Sequence, residues 1–250
     1  MDPLFDMTGK NVLITGGSRG LGRAMALAFA ERGANLIIAS RKLESCEAVA
    51  KEVEALGGKA MGIACHLGHW DELDALVDTS YKHFGHLDVL VNNAGMSPLY
   101  PSLGEVSEAL FDKVINLNLR APYRLSALFG SRMQERGSGS IVNISSIAAL
   151  KPSPESEPYG AAKAGLNALT RSLAFAYGPQ VRANCIIAGP YLTDISKAWD
   201  IEAFEKRAAE TMALGRGGQP DEIVAAALYF CGAGAAFTTG ALLRVDGGTP

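Results

Sequence analysis

The stretch Asn11-Val12-Leu13-Ile14-Thr15-Gly16-Gly17-Ser18-Arg19-Gly20-Leu21-Gly22 decides the fold. Its first five residues are apolar and β-prone enough to read as a buried strand. After Gly20, the residues Leu21, Met25, Ala28 and Phe29 recur at helical spacing on one face. The turn between strand and helix needs positive φ. A side chain at Gly16 or Gly20 would also hold the backbone away from a bound anion. The helix N-terminus then presents free N–H groups and a positive dipole end, the geometry that takes a dinucleotide's pyrophosphate. A glycine-rich turn can be purely structural; the strand–turn–helix context favours the binding reading.

Outward from this unit, apolar runs alternate with helical patterns to the end of the chain. Strands are expected at 35–39, 59–64, 87–91, 140–144, 181–187 and 242–245. Helices are expected at 43–56, 70–84, 106–134 and 158–177, the third as one long helix. Strands that are apolar almost throughout, separated by helices, imply a parallel sheet covered on both faces. The fold class is therefore α/β: a Rossmann-type doubly wound sheet of about seven strands. No linker or repeat interrupts the 250 residues, so one domain is expected over 1–250. The loop at 151–158, with three prolines, precedes Tyr159 and reads as a binding-site wall.

The formal charge of −3, from 23 basic and 26 acidic residues, gives no footprint for nucleic acid or an anionic membrane. Small molecules and further copies of the chain are the expected partners. Cys46, Cys65, Cys185 and Cys231 are widely spaced and read as reduced, packed thiols. The first ten residues lack the pattern of a signal peptide, and the apolar stretch 225–237 is too short to span a bilayer; the expected compartment is the cytoplasm.

Where an NAD-binding fold places an acidic residue after its second strand, this chain has Ala39-Ser40-Arg41-Lys42. Ser40 can bond a phosphate oxygen, Arg41 offers it a planar fork, and Arg19 can approach from the glycine loop. NADP(H) is the expected cofactor, against the alternative that Arg41 and Lys42 are a solvated helix start. Tyr159-Gly160-Ala161-Ala162-Lys163 puts a phenol and an ammonium on one helix face. A phenol titrates at about 10 unperturbed, and a neighbouring cation favours its ionised form. The pair can thus exchange a proton with a carbonyl or alcohol oxygen.

The T-G-x-x-x-G-x-G spacing and the tetrapeptide Asn92-Asn93-Ala94-Gly95 resemble the compact, single-domain short-chain dehydrogenases/reductases. Cys65–Gly68, Ser145–Ala149 with Pro152-Ser153-Pro154, and Val245–Pro250 extend the likeness over nearly the whole chain, toward the carbonyl and retinal reductase branch. The resemblance implies a catalytic set of Asn118, Ser146, Tyr159 and Lys163, with Ser145 and Asn116 as alternatives to their neighbours. In it Ser146 bonds the substrate oxygen and Asn118 holds a water beside Lys163. It further implies cofactor contacts from Gly16, Ser18, Arg19, Gly20, Leu21, Gly22, Ser40, Arg41, His66, Leu67, Asn92, Ala94 and Gly95, together with Tyr159, Lys163, Gly189, Tyr191 and Thr193. Asn92 would support the strand ends and the adenosine side, and Tyr191 and Thr193 would contact the carboxamide. His66 stands where the family usually has Asp, and the family's Pro-Gly order appears here as Ala188-Gly189-Pro190.

By the same resemblance, residues 194–211 form a helical lid, and a homotetramer forms through the long helix, the Tyr159 helix and the C-terminal strand. Trp199, Ile195, Leu192, Tyr191, Met96 and Pro154 are either apolar pocket walls or lid packing. Arg207, Arg216 and Lys197 would suit an anionic substrate if turned inward, but lid charges usually face water. The pairs His66/His69 and His83/His86 lack a completing Cys or carboxylate cluster, so no metal is expected. The favoured function is NADP(H)-dependent interconversion of a largely apolar ketone or aldehyde and its alcohol. A 3-oxoacyl-thioester reductase on the same scaffold is one alternative. A non-catalytic NADP-binding regulator is another, and it would need no Ser–Tyr–Lys set.

Overall fold

Strands form where the apolar runs lie. They are β1 (Asn11–Thr15), β2 (Asn35–Ser40), β3 (Ala60–Ala64), β4 (Val89–Asn92), β5 (Gly139–Ser146), β6 (Val181–Ala188) and β7 (Leu242–Val245). The structure is a computed structural model that describes residues 2–151, 153–194, 196 and 199–250. All strand pairings are parallel, in the order β3-β2-β1-β4-β5-β6-β7. Every residue of β1 and β4 is buried, which is why these strands read as unbroken apolar runs. The chain order reverses between β1 and β4, so a crevice opens at their C-terminal ends, where open α/β sheets bind ligands.

The helices are α1 (Gly20–Ala30), α2 (Leu43–Ala55), α3 (Trp70–Phe84), α4 (Glu108–Ile115), α5 (Ala121–Arg136), α6 (Glu157–Tyr177), α7 (Ile201–Thr211) and α8 (Val224–Cys231). One apolar layer joins Met25 and Phe29 of α1, Val49 and Val53 of α2 and Phe230 of α8 to the sheet. The opposite layer joins Leu73 and Leu76 of α3, Phe129 and Met133 of α5 and Leu173 of α6. The two layers cover both faces of the sheet.

Two expectations are corrected. The single helix over 106–134 is instead α4 and α5 joined by a π-helical turn at Asn116–Arg120. There the Ala121 N–H bonds the Asn116 carbonyl, five residues back, and Pro122 has no N–H to restore the α register. The lid helix begins only at Ile201, where the Asp200 side chain accepts from the Ala203 N–H at 3.0 Å. Ile195 and Lys197, expected in the lid, lie outside the described residues, as does Pro152 of the proline-rich loop.

Candidate active site

The glycine loop and the segment after β4 are stapled to each other across the crevice. Gly16 has φ +64°, and a Cβ there would lie 3.0 Å from both Ala94 Cα and Asn93 Nδ2. Thr15 Oγ1 accepts from the Asn93 N–H at 3.0 Å and the Ala94 N–H at 3.2 Å. Asn93 Nδ2 donates to the carbonyls of Thr15 at 2.9 Å and Gly16 at 3.2 Å. Asn93, not Asn92, is therefore the brace of the loop. The Asn92 side chain turns into the core, donating to Ser126 Oγ at 3.0 Å and Asn143 Oδ1 at 2.8 Å, and so ties the ends of β4 and β5 together. The doubled asparagine carried the signal, but not which of the two faces the crevice.

The start of α1 has neither a side-chain cap nor an acidic residue in its first turn. Beside it Ser18 Oγ donates to Ser40 Oγ at 3.1 Å. Arg19 and Arg41 are exposed and take part in no ion pair among the described residues. The His66 ring stacks on His69 at 4.1 Å, and its Nδ1 is buried without a partner. Leu67 packs its side chain into the core, leaving its backbone as the part that could line the cleft. Free helix amides, two hydroxyls, two guanidinium groups and an orphaned imidazole nitrogen form a donor set that fits a phosphate-bearing dinucleotide.

The expected catalytic residues gather at the C-terminal end of β5. Ser146 ends the strand, and its Oγ accepts from the Ala148 N–H at 3.2 Å; its hydroxyl lies close enough to the Tyr159 phenol to act on that group's titration. Ser145 points inward instead, donating to the Lys163 carbonyl at 3.3 Å, so Ser146 is the hydroxyl at the site. Lys163 is 3% exposed; its Nζ donates to the Ile144 carbonyl at 2.8 Å and lies 5.7 Å from the Tyr159 ring centroid. Burial pulls the Lys163 pKa down from 10.5 to about 8. Burial also pushes the Tyr159 phenol above its ordinary value, opposed by the Ser146 hydroxyl. In the free chain desolvation thus dominates; the lowering expected from Lys163 was one assisted by the positive charge of an oxidised nicotinamide.

Asn118 is fully buried in the π turn. Its Nδ2 donates to the carbonyls of Met96 and Val114, both at 2.9 Å, and its Oδ1 accepts from the Met96 N–H at 3.2 Å. Oδ1 retains a second acceptor position. A Cβ on Gly95 would sit 2.8 Å from this oxygen and 3.5 Å from Lys163 Nζ, so only a glycine lies between them. Asn116 is occupied elsewhere, accepting from Arg120 at 3.2 Å. Tyr100 went unread in the sequence. Its phenol oxygen accepts from the Glu157 N–H at 2.7 Å, capping α6 two residues before Tyr159.

Beyond β6, Gly189 is required by packing, since a Cβ would lie 2.5 Å from Asp246 Cα. Thr193 faces the start of α1, its Cβ 3.5 Å from where one on Gly20 would stand. Tyr191, expected at the carboxamide and in the pocket wall, is a core residue: it is 7% exposed and donates to the Val245 carbonyl at 3.2 Å. Burial pushes its phenol up to about 12. Trp199 and Leu192 pack with Phe204, Ala208 and Met212 in a small core of their own around α7. Arg216 pairs with Glu222 at 2.6 Å, and Arg207 lies over the Phe204 ring. His69 pairs with Glu72 and His86 with Asp88, and no cluster of three or more metal-ligating side chains occurs among the described residues.

A nucleotide crevice at the sheet's switch point, with a Ser–Tyr–Lys set beside it, defines a dinucleotide-dependent oxidoreductase. Residues 16–250 match the family model described as enoyl-(acyl carrier protein) reductase. Human dehydrogenase/reductase SDR family member 4 is 34% identical over all of this chain and 89% of its own length. The L-rhamnose 1-dehydrogenase (NAD(P)(+)) of Azotobacter vinelandii is 37% identical over 96% of each chain. Among solved structures, 7α-hydroxysteroid dehydrogenase complexed with NADH and 7-oxo glycochenodeoxycholic acid has a TM-score of 0.95 at 32% identity, covering 100% of this chain and 97% of that one. NADPH-dependent 3-quinuclidinone reductase from Rhodotorula rubra has a TM-score of 0.92 at 28% identity, covering 98% and 93%. The chain belongs to the short-chain dehydrogenase/reductase family, whose members are oxidoreductases acting on CH–OH and C=O groups.

Proposed function

We propose that this chain is an NADP(H)-dependent reductase that interconverts a largely apolar ketone or aldehyde and its alcohol. The observation that carries the reading is the convergence of Ser146 at the end of β5 with Tyr159 and Lys163 of α6, Lys163 Nζ lying 5.7 Å from the Tyr159 ring centroid. Ser18, Arg19, Gly20, Leu21, Gly22, Ser40 and Arg41 would hold the pyrophosphate and a ribose 2′-phosphate; Gly16, Ala94 and Gly95 would line the cleft by backbone. Similar proteins include one bound to NADH and one dependent on NADPH, so the preference rests on this chain's own Ser40 and Arg41.

When bound, the reduced nicotinamide supplies the hydride to the carbonyl carbon. Ser146 Oγ–H donates to the carbonyl oxygen and fixes its position. As negative charge develops there, Tyr159 transfers its phenolic proton to that oxygen, giving the alcohol and a tyrosinate. The Lys163 ammonium stabilises that tyrosinate, and Asn118 Oδ1 supports the relay that returns a proton. In the oxidative direction Tyr159 as tyrosinate removes the alcohol proton.

Arg207 and Arg216 are engaged with Phe204 and Glu222, which supports a neutral substrate over an anionic one. The catalytic unit is one domain, and we place it in the cytoplasm, which suits four buried, unpaired thiols. Exposed Phe111 on α4, Tyr123 on α5, Phe175 on α6 and Leu243 on β7 support a homotetramer through those elements, testable by light scattering.

A panel of cyclic and aryl ketones, aldehydes and a 3-oxoacyl thioester, assayed with NADPH and NADH in parallel, tests the reading. Turnover of neutral ketones with NADPH is expected. Turnover of the thioester alone, or a preference for NADH, would overturn the corresponding part.

A further inference from the structure

Below the site, β5 and α6 are tied by a row of directional bonds. Lys163 Nζ donates to the Ile144 carbonyl at 2.8 Å, and Ser145 Oγ donates to the Lys163 carbonyl at 3.3 Å. Further along α6, Asn143 Nδ2 donates to Thr170 Oγ1 at 2.9 Å, and that hydroxyl donates to the Leu166 carbonyl at 2.8 Å. Asn143 Oδ1 accepts from Asn92 Nδ2 at 2.8 Å, and Asn92 also donates to Ser126 Oγ at 3.0 Å. Asn92, Ser126, Asn143 and Thr170 are each 2% exposed or less. One polar node therefore joins β4, α5, β5 and α6, each of its four side chains holding at least one bond and only Asn92 Oδ1 among its atoms left without a partner.

Burying four polar side chains is costly unless each is bonded, and apolar residues could fill the same space. Apolar packing tolerates small slides of a helix along a sheet. A hydrogen bond does not. Asn143 directly precedes Ile144, whose carbonyl holds the ammonium. Thr170 lies two turns from Lys163 on the same helix face. A shift of α6 along β5 by one helical rise of about 1.5 Å would break the Asn143–Thr170 and Ile144–Lys163 bonds together.

We propose that Asn143 and Thr170 are positioning residues that set the register of α6 on β5, and with it the place of Lys163 relative to Tyr159 and Ser146. The proposal rests on the reading of Tyr159 and Lys163 as the acid–base pair. Its test compares Thr170→Val, which keeps shape but removes the acceptor, with Thr170→Ser, which keeps the hydroxyl, and with the double variant Asn143→Leu/Thr170→Val. Expected for Thr170→Val is a loss of about ten- to a hundredfold in kcat, with the carbonyl KM and the NADPH Kd from fluorescence titration within about twofold. The pH of half-maximal rate should also move, and Thr170→Ser should restore both readouts.

In the double variant the Asn143–Thr170 pair becomes apolar while Asn92 Nδ2 keeps Ser126 Oγ as an acceptor, so the thermal midpoint should recover in part while kcat does not. A folded, NADPH-binding double variant with wild-type kcat, or Thr170→Val with unchanged kcat and pH profile, overturns the proposal. Where Thr170→Val fails to fold, the double variant decides. Tyr159→Phe runs alongside. Full activity in that variant sinks the acid–base reading itself, whereas loss there with no loss at Thr170 sinks only the positioning role.

Discussion

The hydroxyls of Ser18 and Ser40 meet at 3.1 Å, so the glycine loop and the end of β2 are joined at the proposed phosphate site. Arg19 and Arg41 flank that pair and face solvent. A hydrogen bond to a charged group is worth about 1.5–3 kcal/mol, or roughly ten- to a hundredfold in affinity. Arg41→Asp should therefore lower kcat/KM for NADPH by about that factor and leave NADH use intact or improved. Steady-state kinetics with both cofactors decide it, and an unchanged NADPH-to-NADH ratio would remove Arg41 from the phosphate site.

Lys163 makes stability depend on pH with a definite sign. Burial lowers its folded pKa from 10.5 to about 8. Below that value both folded and unfolded chains carry the proton, and burial of the charge costs stability. Between about 8 and 10.5 only the unfolded chain carries it, so stability rises with pH. At 1.36 kcal/mol per unit the displacement corresponds to about 3 kcal/mol. Lys163→Met should therefore be more stable than wild type at pH 7, by up to about that amount, with the advantage shrinking toward pH 9.5. Urea denaturation at a series of pH values measures it. A constant difference would mean that Lys163 keeps its ordinary pKa.

The sheet was legible because its central strands are buried on both faces and so are apolar at every position, as Val12–Ile14 and Val89–Val91 show. Its ends were less so: β5 runs to Ser146 because Ser145 and Ser146 pair with Ile187 and Ala188, partners some forty residues away in sequence. The helix α8, VAAALYFC, is apolar on every side and gave no periodicity to read. The π turn at Asn116–Arg120 leaves no periodic trace, since it inserts one residue into a helix whose flanks both look regular. Tyr191 was misplaced, and Trp199 left open between wall and packing, for a different reason. An aromatic near a cleft has the same sequence signature whether it lines the cleft or packs under it, and contacts with Val245 and Phe204 decide which.

Gly95 is where the cofactor loop comes nearest to the relay. Its Cβ would lie 2.8 Å from Asn118 Oδ1, an atom held by a buried network and unable to give way cheaply. Since φ at Gly95 is not in the left-handed region, Gly95→Ala tests crowding without backbone strain. Activity should fall about tenfold or more, with a stability loss of about 1–3 kcal/mol. Kinetics paired with thermal unfolding check both. Wild-type rates in Gly95→Ala would show that the Asn118 amide can move without consequence for the relay.

Tyr100 links the segment after β4 to the start of α6 by a single bond, accepting from the Glu157 N–H at 2.7 Å. The Ser156 side chain makes no cap bond, so the tyrosine stands in for one. Tyr100→Phe keeps the ring and leaves that N–H to water. The net loss is about 0.5–1.5 kcal/mol, a fall of a few degrees in Tm at this chain length. The larger consequence is local. Residues 96–102 border the site through Met96, and with the tether gone they are free to move from Tyr159. The carbonyl KM should rise several-fold while kcat stays within about twofold, because no atom that exchanges a proton or fixes the oxygen has changed. Tyr100→Phe with a lowered kcat and an unchanged KM would instead mean that the cap on α6 acts on Tyr159 itself.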